Sequence, residues 1–463
     1  MRRDSSGRSA GSEWRKYEVS ALIKTGALEI GDGYRAKNNE FTPSGLPFAR
    51  AGNIKDGFQF ADADRFPEEN LKRIGNKISE PGDVVFTSKG TVGRFAFVRE
   101  DIPRFVYSPQ LCFWRSRDHE LIDPRFLFYW MSGREFFVQF KGVAGQTDMA
   151  EYVSLRDQRN MHLTLPPLPE QRAIAHILGS LDDKIELNRR MNETREEMAR
   201  TLFKSWFIDF DPVHAKATLR NHTPNHSSLD WTVEMAQAYL DGMDPGIAAL
   251  FPDRFVDSEL GEIPGGWEVK PLDTVAVFQN GLALQKFRPQ ENEEWLPVVK
   301  IAQLRSGKAD SGERSTANIR PECIIDDGDI VFSWSGSLTV KVWCGGRAAL
   351  NQHLFKVTSV NFPKWFFMHC VCSHLGDFQT IAAGKATTMG HIKRHHLSEA
   401  MCVVPNGELL AESDSLFSTL LERNISANIQ SRALITLRGT LLPKLISGEL
   451  RVKDSKRFLE SVS

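Results

Sequence analysis

Gly82-Asp83-Val84-Val85-Phe86 returns 246 residues later as Gly328-Asp329-Ile330-Val331-Phe332, and Gly90 keeps the same offset to Gly336. Further matches follow in the same order: Tyr17-Glu18-Val19 and Leu22 with Trp267-Glu268-Val269 and Leu272, Gln110 and Phe113 with Gln352 and Phe355, Ala144-Gly145 with Ala383-Gly384, and Met149 with Met389. Self-similarity at a long period is the signature of a repeated structural unit. The sequence therefore predicts two copies of one module, at 14–168 and 256–406.

Each module combines strand and helix patterns. Asp83–Val98 and Ile330–Trp343 are rich in β-branched and aromatic residues broken by glycine, which predicts a hairpin in each copy. Pro124–Met131 and Pro363–Met368 are apolar, and each pattern predicts a buried helix with proline at its first position. The fold class predicted for each module is α+β.

A long helical pattern follows each module. Its apolar seam alternates steps of four and three residues. In the first copy the seam is Ile174, Leu178, Leu181, Ile185, Asn188, Asn192, Arg195, Ala199, Leu202 and Trp206. In the second copy it is Leu421, Ile425, Asn428, Arg432, Ile435, Gly439 and Leu442. A helix of about 38 residues is roughly 57 Å long, which suits a spacer better than a small domain.

Two interpretations of these helices stay open. They form an antiparallel pair in which Asn188 and Asn428 fix the register, or they are ordinary amphipathic helices of separate domains. A second stripe lies beside the seam and is expected to be free for a partner. It consists of Leu187, Met191, Thr194 and Met198 on one helix, and Ala427, Ser431, Leu434, Leu441 and Leu445 on the other.

Composition limits the function classes. The 463 residues suffice for two to four domains, and the net charge of −1 weakens a DNA-binding interpretation without excluding local basic faces. No apolar run is long enough for a membrane span, and residues 1–13 lack the apolar core of a signal peptide. The six cysteines are expected to be reduced thiols, which favours the cytoplasm.

The chain is therefore expected to have seven segments: a disordered N-terminus (1–13), the first module (14–168), a spacer helix (169–210), a connector (211–255), the second module (256–406), a second spacer helix (407–453) and a C-terminal tail (454–463). The connector is predicted to contain a polar stretch from His214 to Ser228 and turns marked by Pro245, Pro252 and Pro264.

Polar loops flanked by glycine are the candidates for contact with DNA, because Gln, Ser, Thr, Lys and Arg are the residues that pair with base edges or phosphates. The candidate residues are Lys89, Thr91, Gln146, Thr147, Trp334, Ser335, Lys385, Thr387, Thr388, Lys393 and Arg394. The helix-pairing or partner-docking candidates are Leu181, Ile185, Asn188, Met191, Met198, Leu202, Leu421, Ile425, Asn428, Ile435 and Leu442.

Two patterns imitate catalytic or metal sites. Pro252-Asp253 with Glu268-Val269-Lys270 has the carboxylates and lysine of a Mg²⁺ nuclease, but Pro252 lies in a proline-rich connector. The donors in 369–374 resemble zinc ligands, but they are too tightly spaced for four ligands from one helix. No Walker A sequence and no Asn/Asp-Pro-Pro-aromatic motif occurs, so neither catalysis nor a metal is assigned to this chain.

The whole pattern resembles the specificity subunit of type I restriction–modification systems. The resemblance is carried by Pro167-Leu168-Pro169-Glu170-Gln171-Arg172-Ala173-Ile174-Ala175, Phe203-Lys204-Ser205-Trp206-Phe207 with Asp209-Phe210-Asp211-Pro212-Val213, Gly246-Ile247-Ala248-Ala249-Leu250-Phe251-Pro252-Asp253, Asp257-Ser258-Glu259-Leu260-Gly261-Glu262-Ile263-Pro264 and Leu442-Pro443-Lys444-Leu445-Ile446-Ser447-Gly448-Glu449-Leu450. Val403–Glu408 departs from the first copy's Pro-x-x-Glu-Gln form, which leaves the start of the second helix in doubt.

The resemblance implies two similar α/β target-recognition domains, each reading half of a split DNA site, separated by an antiparallel coiled coil with pseudo-two-fold symmetry. It implies double-stranded DNA, two methyltransferase subunits and, in some systems, two restriction subunits as partners. S-adenosylmethionine, Mg²⁺ and ATP are then expected in the partners. Two rival hypotheses stay open: a fused restriction enzyme with its own nuclease site, and a helix-mediated scaffold that reads no bases.

Overall fold

The computed structural model describes residues 13–54, 57–89, 93–144, 153–221, 225–226, 230–310, 312–384, 390–452 and 455–462. The chain divides into two compact units, Met1–Lys184 with Leu434–Ser463, and Ile185–Ala433. Each unit contains one module and one part of each of two long helices. None of the described helices has both the length and the hydropathy needed to cross a membrane.

The described residues of the first module form nine strands and five helices before the first long helix. Its strands are β1 (Arg15–Glu18), β2 (Leu28–Asp32), β3 (Leu46–Ala49), β4 (Arg65–Phe66), β5 (Val84–Thr87), β6 (Phe95–Phe97), β7 (Val106–Tyr107), β8 (Leu111–Ser116) and β9 (His162–Leu165). Its helices are α1 (Val19–Lys24), α2 (Leu71–Ile74), α3 (Pro124–Met131), α4 (Arg134–Ala144) and α5 (Leu155–Arg159), with short 3₁₀ turns at Asn38–Glu40, Ala51–Asn53 and Glu68–Asn70. The sheets have the orders β2-β8-β5-β6, β4-β3-β7 and β1-β9.

The first long helix, α6 (Leu168–Phe207), leads into the connector. The connector contains α7 (Asp211–Asn221), β10 (Asn225–His226), β11 (Asp230–Trp231), α8 (Val233–Asp241), α9 (Pro245–Leu250), β12 (Phe255–Ser258) and β13 (Gly261–Pro264). The strands form two hairpins, β10-β11 and β12-β13.

The second module repeats the order of the first. Its strands are β14 (Glu268–Pro271), β15 (Val277–Asn280), β16 (Trp295–Val299), β17 (Arg314–Thr316), β18 (Ile324–Ile325), β19 (Ile330–Ser333), β20 (Thr339–Val342), β21 (Ala348–Leu350), β22 (Leu354–Thr358) and β23 (Met401–Val404). Its helices are α10 (Leu272–Val275), α11 (Ile301–Ser306), α12 (Lys364–Ser373), α13 (Leu375–Ala383) and α14 (Arg394–Glu399), with 3₁₀ turns at Leu284–Lys286 and Pro321–Cys323. The sheets are β15-β22-β19-β20, β17-β16-β21-β18 and β14-β23. The second long helix, α15 (Gly407–Ile446), and α16 (Ser455–Val462) complete the chain.

The prediction of an α+β module occurring twice is confirmed. In both modules a four-stranded antiparallel sheet has the predicted hairpin, β5-β6 or β19-β20, at one edge. A second sheet contains one parallel pair, β3-β7 or β16-β21. The residues of the predicted buried helix α3 pack into the core of the first unit, and those of α12 pack into the core of the second unit.

A glycine in the left-handed region explains one part of the repeated pentapeptide. Gly82 has φ +92° and donates its N–H to the carbonyl of Val98 at 2.8 Å. Gly328 has φ +91° and donates in the same way to Trp343 at 2.7 Å. A residue with a Cβ is strained at this φ, so the turn that leads into the central strand requires glycine in both copies.

The aspartate after that glycine closes the same turn. The carboxylate of Asp83 accepts from the backbone N–H of Glu80 at 2.8 Å, and that of Asp329 accepts from Asp326 at 2.8 Å. Aspartate is favoured at such positions because its side chain hydrogen-bonds to nearby backbone. The Gly-Asp repeat is therefore structural.

The two aspartates differ in their surroundings. Asp83 is fully buried and accepts two bonds from the Arg115 guanidinium, at 2.5 and 2.7 Å, and one from the Tyr107 hydroxyl at 2.5 Å. Burial and the charge of Asp83 hold the pKa of Tyr107 well above its usual range. Asp329 is paired with Lys356 at 2.8 Å, with both side chains partly exposed. The same turn therefore carries a buried network in one module and a partly exposed ion pair in the other.

One predicted match between the copies is wrong by three residues. β1 pairs with β9, and β14 pairs with β23, both antiparallel. A helix follows each first strand directly, at Val19 and at Leu272. Val19 and Leu272 are therefore equivalent positions, and counting back from them pairs Trp14 with Trp267. The sequence match had paired Tyr17 with Trp267.

The equivalent tryptophans lie in similar places. Trp14 donates its indole N–H to Glu170 at 3.3 Å, and the guanidinium of Arg451 lies 5.6 Å from its ring centroid. Trp267 packs against the aromatic rings that end α6 and follow it, at 6.0 Å from Phe207 and 5.7 Å from Phe210. Each module thus begins where one of the long helices ends.

The two long helices pair in antiparallel fashion, so the interpretation of unpaired helices is excluded. In the first unit the guanidinium of Arg438 binds the Asp182 carboxylate at 2.6 Å. In the second unit the amide of Asn188 donates to Gln430 at 2.9 Å, and that of Asn192 donates to Asn428 at 3.0 Å.

In this polar layer Asn188, Asn192 and Asn424 are buried, Ala427, Asn428 and Ser431 are half-buried, and Gln430 is exposed. Asn188 also reaches the Ser431 hydroxyl at 3.2 Å and the Ala427 carbonyl at 3.3 Å, and Asn192 reaches the Asn424 carbonyl at 3.4 Å. A shift of one helix along the other would leave these buried amides without partners, which costs about 1–3 kcal/mol for each group. The layer therefore selects one axial register.

The predicted helix residues take different environments. Leu421, Ile425 and Asn188 are buried; Leu181, Ile185, Leu202, Asn428, Ile435 and Leu442 are half-buried; Met191 and Met198 are exposed. The second stripe is exposed on α6, at Leu187, Met191 and Met198. On α15 the prediction of a free stripe is wrong, because Leu445 lies in the core of the first unit and Ser431 contacts Asn188.

Three local predictions need correction. The polar stretch after Asp211 is helical as far as Asn221, and Lys216 donates to the carbonyls at the end of α9, including that of Ala248 at 2.8 Å. Pro245 starts a helix where a turn was expected. Pro363 is the residue before the first turn of α12 and is not its first helical residue. The doubtful second long helix begins at Gly407.

Candidate nucleic-acid interface

In the second module two of the predicted loops meet. The N–H of Ile392 donates to the carbonyl of Trp334 at 3.1 Å, and the N–H of Gly336 donates to Gly390 at 2.8 Å. Ser335 and His391 form an isolated antiparallel bridge between these two bonds. The segment after β19 (334–336) and the segment before α14 (390–392) therefore lie side by side and form one continuous edge of the second module.

Aromatic and imidazole rings line this edge. The indole of Trp334 lies 5.9 Å from the ring of His353, 5.9 Å from Phe355 and 6.3 Å from His391. Its N–H donates to the carbonyl of Gln352 at 3.2 Å, which fixes the ring. The polar groups of this edge are thus held against a rigid platform of aromatic side chains.

One cation lies beside these rings, and a second precedes it in the sequence. The Arg394 guanidinium lies 5.8 Å from the ring centroid of Phe355. Lys393 precedes α14, and its backbone N–H donates to Nδ1 of His396 at 3.0 Å. Within the described part of the chain, neither the Lys393 ammonium nor the Arg394 guanidinium is paired with a carboxylate. The edge therefore has a local positive charge despite the net charge of −1.

The first module repeats this edge on the same backbone frame. The N–H of Val153 donates to the carbonyl of Ser88 at 3.4 Å, as Ile392 does to Trp334 in the second module. Ser88 in turn donates its N–H to Gln110 at 2.9 Å. The half-buried Lys89 follows Ser88.

One residue at this edge was missed by the sequence match. β8 begins at Leu111 and β22 begins at Leu354. The N–H of each of these leucines donates to the carbonyl of the residue three positions earlier, which closes the same turn in both modules. Gln110 therefore corresponds to His353, and its predicted match with Gln352 is wrong by one residue. The signal was present in the sequence, as a polar residue directly before a buried strand in both copies.

Several of the predicted contact residues fall outside the described part of the chain. These are Thr91, Gln146, Thr147, Lys385, Thr387 and Thr388. The described candidates Trp334, Ser335, Lys393 and Arg394 lie together in the second module, and Lys89 lies at the corresponding edge of the first module.

The nuclease-like residues have other partners. Asp253 pairs with Arg220 at 3.3 Å, and Glu268 pairs with Lys270 at 2.7 Å. Among the described residues, neither carboxylate belongs to a group that converges as metal ligands do. The zinc-like segment lies on α12, where burial lowers the pKa of His369 to about 4 and its ring stacks on Phe203 at 4.8 Å.

The described residues contain one group with metal-ligand geometry, His395, His396 and Glu399. Nδ1 of His396 accepts the Lys393 N–H at 3.0 Å, so neutral His396 carries its proton on Nε2. Neither nitrogen of the His396 ring then offers a lone pair to a metal, unless its hydrogen bond with Lys393 at the start of α14 is broken. The chemistry of this group therefore does not fit a preformed metal site.

Comparisons with known proteins agree with this architecture. The family model described as type I restriction modification DNA specificity domain matches residues 13–196. The chain is similar to the type I restriction enzyme HindI specificity subunit of Haemophilus influenzae, with 23% identity covering 95% of this chain and 100% of that protein. It is also similar to the MjaIX specificity subunit of Methanocaldococcus jannaschii, with 24% identity covering 95% of each chain.

The fold agrees with a solved structure as well. The crystal structure of a type I restriction–modification S subunit from M. genitalium aligns with a TM-score of 0.54 and 13% identity, and covers 94% of this chain and 97% of that one. The family model matches the first module and much of α6, and the second module repeats the same fold. Residues 13–196 therefore match the type I restriction modification DNA specificity domain, and the chain is similar over nearly its whole length to type I restriction enzyme specificity subunits.

Proposed function

We propose that this chain is the DNA sequence-specificity subunit of a type I restriction–modification complex, in which each module reads one half of a bipartite site. The observation that carries the proposal is one edge that occurs twice with different side chains. Ser88 and Gln110 in the first module stand where Trp334 and His353 stand in the second. The same backbone arrangement in both modules suits the geometry that all duplex DNA shares, and the different side chains suit two different base sequences.

Local charge supports contact with DNA. Lys393 and Arg394 add positive charge at the edge of the second module, and Lys89 does so in the first. Phosphate contacts depend on such local cations and not on the net charge of the chain. Sequence preference then comes from the polar side chains among them.

The long helices are proposed to set the spacing of the half-sites and to bind the methyltransferase subunits. Leu187, Met191 and Met198 are 49%, 40% and 50% exposed on α6. Exposed apolar side chains grouped on one helix face are typical of an interaction surface. We propose two methyltransferase subunits as partners, with two restriction subunits in a system that also cleaves.

The chemistry is proposed to reside in the partners. This chain would bring no catalytic group, and S-adenosylmethionine, Mg²⁺ and ATP would be bound by the methyltransferase and restriction subunits. The six cysteines are free thiols, which fits a complex that works in the reducing cytoplasm.

Selection from random-sequence duplex DNA tests the proposal. The chain is purified with its methyltransferase, bound DNA is recovered and sequenced, and protection is mapped on the selected site. A split site with two protected halves is expected. Absence of sequence-selective protection would favour a scaffold, and Mg²⁺-dependent cleavage by the chain alone would favour a fused nuclease.

A further inference from the structure

We propose that Gln110 and His353 are equivalent specificity-determining residues, and that each reads a base in the half-site of its own module. The inference rests on the proposed function, and it assigns a role to two positions that the sequence match had set one residue apart. Both residues directly precede β8 or β22, the inner strand that pairs with β5 or β19 in the four-stranded sheet.

His353 is held at the edge by its neighbours. Its Nδ1 lies 3.1 Å from the Ser335 hydroxyl, and its Nε2 lies 3.4 Å from the amide of Gln352. The indole of Trp334 flanks the ring at 5.9 Å, and the side chain stays partly exposed. A residue that selects a base must be both oriented and accessible, and His353 meets both conditions.

Gln110 is held in the same place by another contact. Its side-chain carbonyl oxygen accepts the N–H of Ala51 at 3.2 Å, and the side chain is exposed. The guanidinium of Arg94 donates to the carbonyl of Ala51 at 3.3 Å, so the loop that positions Gln110 is itself held in place. Among the described residues, none occupies the second lone pair of the oxygen or the two amide protons of Gln110.

The two side chains offer different hydrogen-bonding patterns. A carboxamide with a free acceptor and donors pairs with adenine, which presents N7 and the N6 amino group in the major groove. The amide nitrogen of Gln352 only donates, so Nε2 of His353 accepts, and the imidazole carries its proton on Nδ1 and donates it to the Ser335 hydroxyl. Nε2 then presents a lone pair to an amino group in the major groove, such as N4 of cytosine or N6 of adenine. The module that contains Gln110 is therefore expected to select adenine at one position, and the module that contains His353 to select a base with an amino group there, cytosine or adenine.

The experiment uses the complex of the full chain with its methyltransferase. Random-sequence selection gives the preferred site of the unaltered complex and of the variants Gln110→Ala, Gln110→His, His353→Ala and His353→Gln. Competition binding then measures discrimination at each base pair. Gln237→Ala and His119→Gln, both at exposed positions away from the edge, are the matched controls.

Each variant should change one base pair in one half-site. Loss of a good base contact lowers discrimination by roughly 5- to 150-fold at that position, while the other half-site and both controls keep the original preference. The conservative swaps should shift the preferred base, and a loss of affinity for all DNA without a shift would overturn the inference. So would unchanged half-sites in all four variants. If the unaltered complex selects no split site, the proposed function fails and takes the inference with it.

Discussion

Replacing Asp83 by alanine should destabilise the first unit much more than the equivalent change, Asp329→Ala, destabilises the second. Both substitutions remove the side-chain cap of the same turn, so that loss cancels in the comparison. The difference lies in the cation that each carboxylate neutralises, Arg115 or Lys356.

The magnitude follows from burial. The Arg115 side chain is 3% exposed and Asp83 is 0% exposed. Removing one partner of a buried pair costs about 3–5 kcal/mol, because a charge is left without compensation. Glu80 remains 2.5 Å from Arg115 after the substitution and still neutralises part of its charge, so the expected cost is near the lower end of this range.

The pair in the second module is more accessible to water, because Lys356 and Asp329 are 20% and 24% exposed. A pair that water can reach contributes up to about 1 kcal/mol, and the lost cap adds about 1 kcal/mol.

Hydrogen exchange in urea, read separately for β5-β8 and β19-β22, resolves the two effects in one chain. Asp83→Ala should lower the free energy of opening at β5-β8 by about 3 kcal/mol or more, and Asp329→Ala should lower it at β19-β22 by about 1–2 kcal/mol. Equal losses would show that the turn, and not the burial of the charge, sets the cost of removing the aspartate.

Three further predictions concern the helices and the buried histidine. Asn188→Ala should lower the free energy of unfolding of the second unit by about 1–3 kcal/mol in urea titrations, since the partner groups on α15 lose a bond inside the pair; no loss would show that the layer does not hold the register. His369→Phe should remove the part of the acid sensitivity that this buried imidazole causes. The folded pKa of His369 is about 4 against 6.5 unfolded, so its contribution is complete above pH 6.5 and is lost as pH falls to 4, by about 3 kcal/mol. An unchanged pH–stability curve would contradict this. Met191→Asp with Met198→Asp should prevent co-purification of the methyltransferase and leave the circular dichroism spectrum intact, whereas an intact complex would count against this stripe.

Much of the fold was predictable, because the repeated turn is dictated by local chemistry. Gly82 and Gly328 need a left-handed φ, and the aspartates that follow them need nearby backbone donors, so both residue types recur. The antiparallel helix pair was predictable from the spacing of its seam, and its asparagines do bond across the pair.

The errors have physical causes. Tyr17 was set against Trp267 because residue identity was matched, whereas the strand pairing aligns Trp14 with Trp267. The helix Asp211–Asn221 was missed because its sequence is polar and its contacts, such as the Lys216 bonds to the end of α9, are tertiary. Sequence periodicity carries no information about such contacts.

The candidate interface was only partly predictable. Trp334 and Ser335 were found because glycine marks their loop. The equivalence of Gln110 and His353 was not found, because matching by residue identity paired Gln110 with Gln352, whereas the signal that both copies share is the polar residue directly before β8 or β22. Thr91, Gln146 and Thr387 stay predictions.

Two modules of one chain are proposed to read two separate half-sites, and mapping N6-methyladenine across the genome of a host that expresses this chain with its methyltransferase tests this directly. One bipartite motif is expected, with two defined halves separated by a fixed number of unspecified base pairs. A single continuous motif would contradict two independent readers.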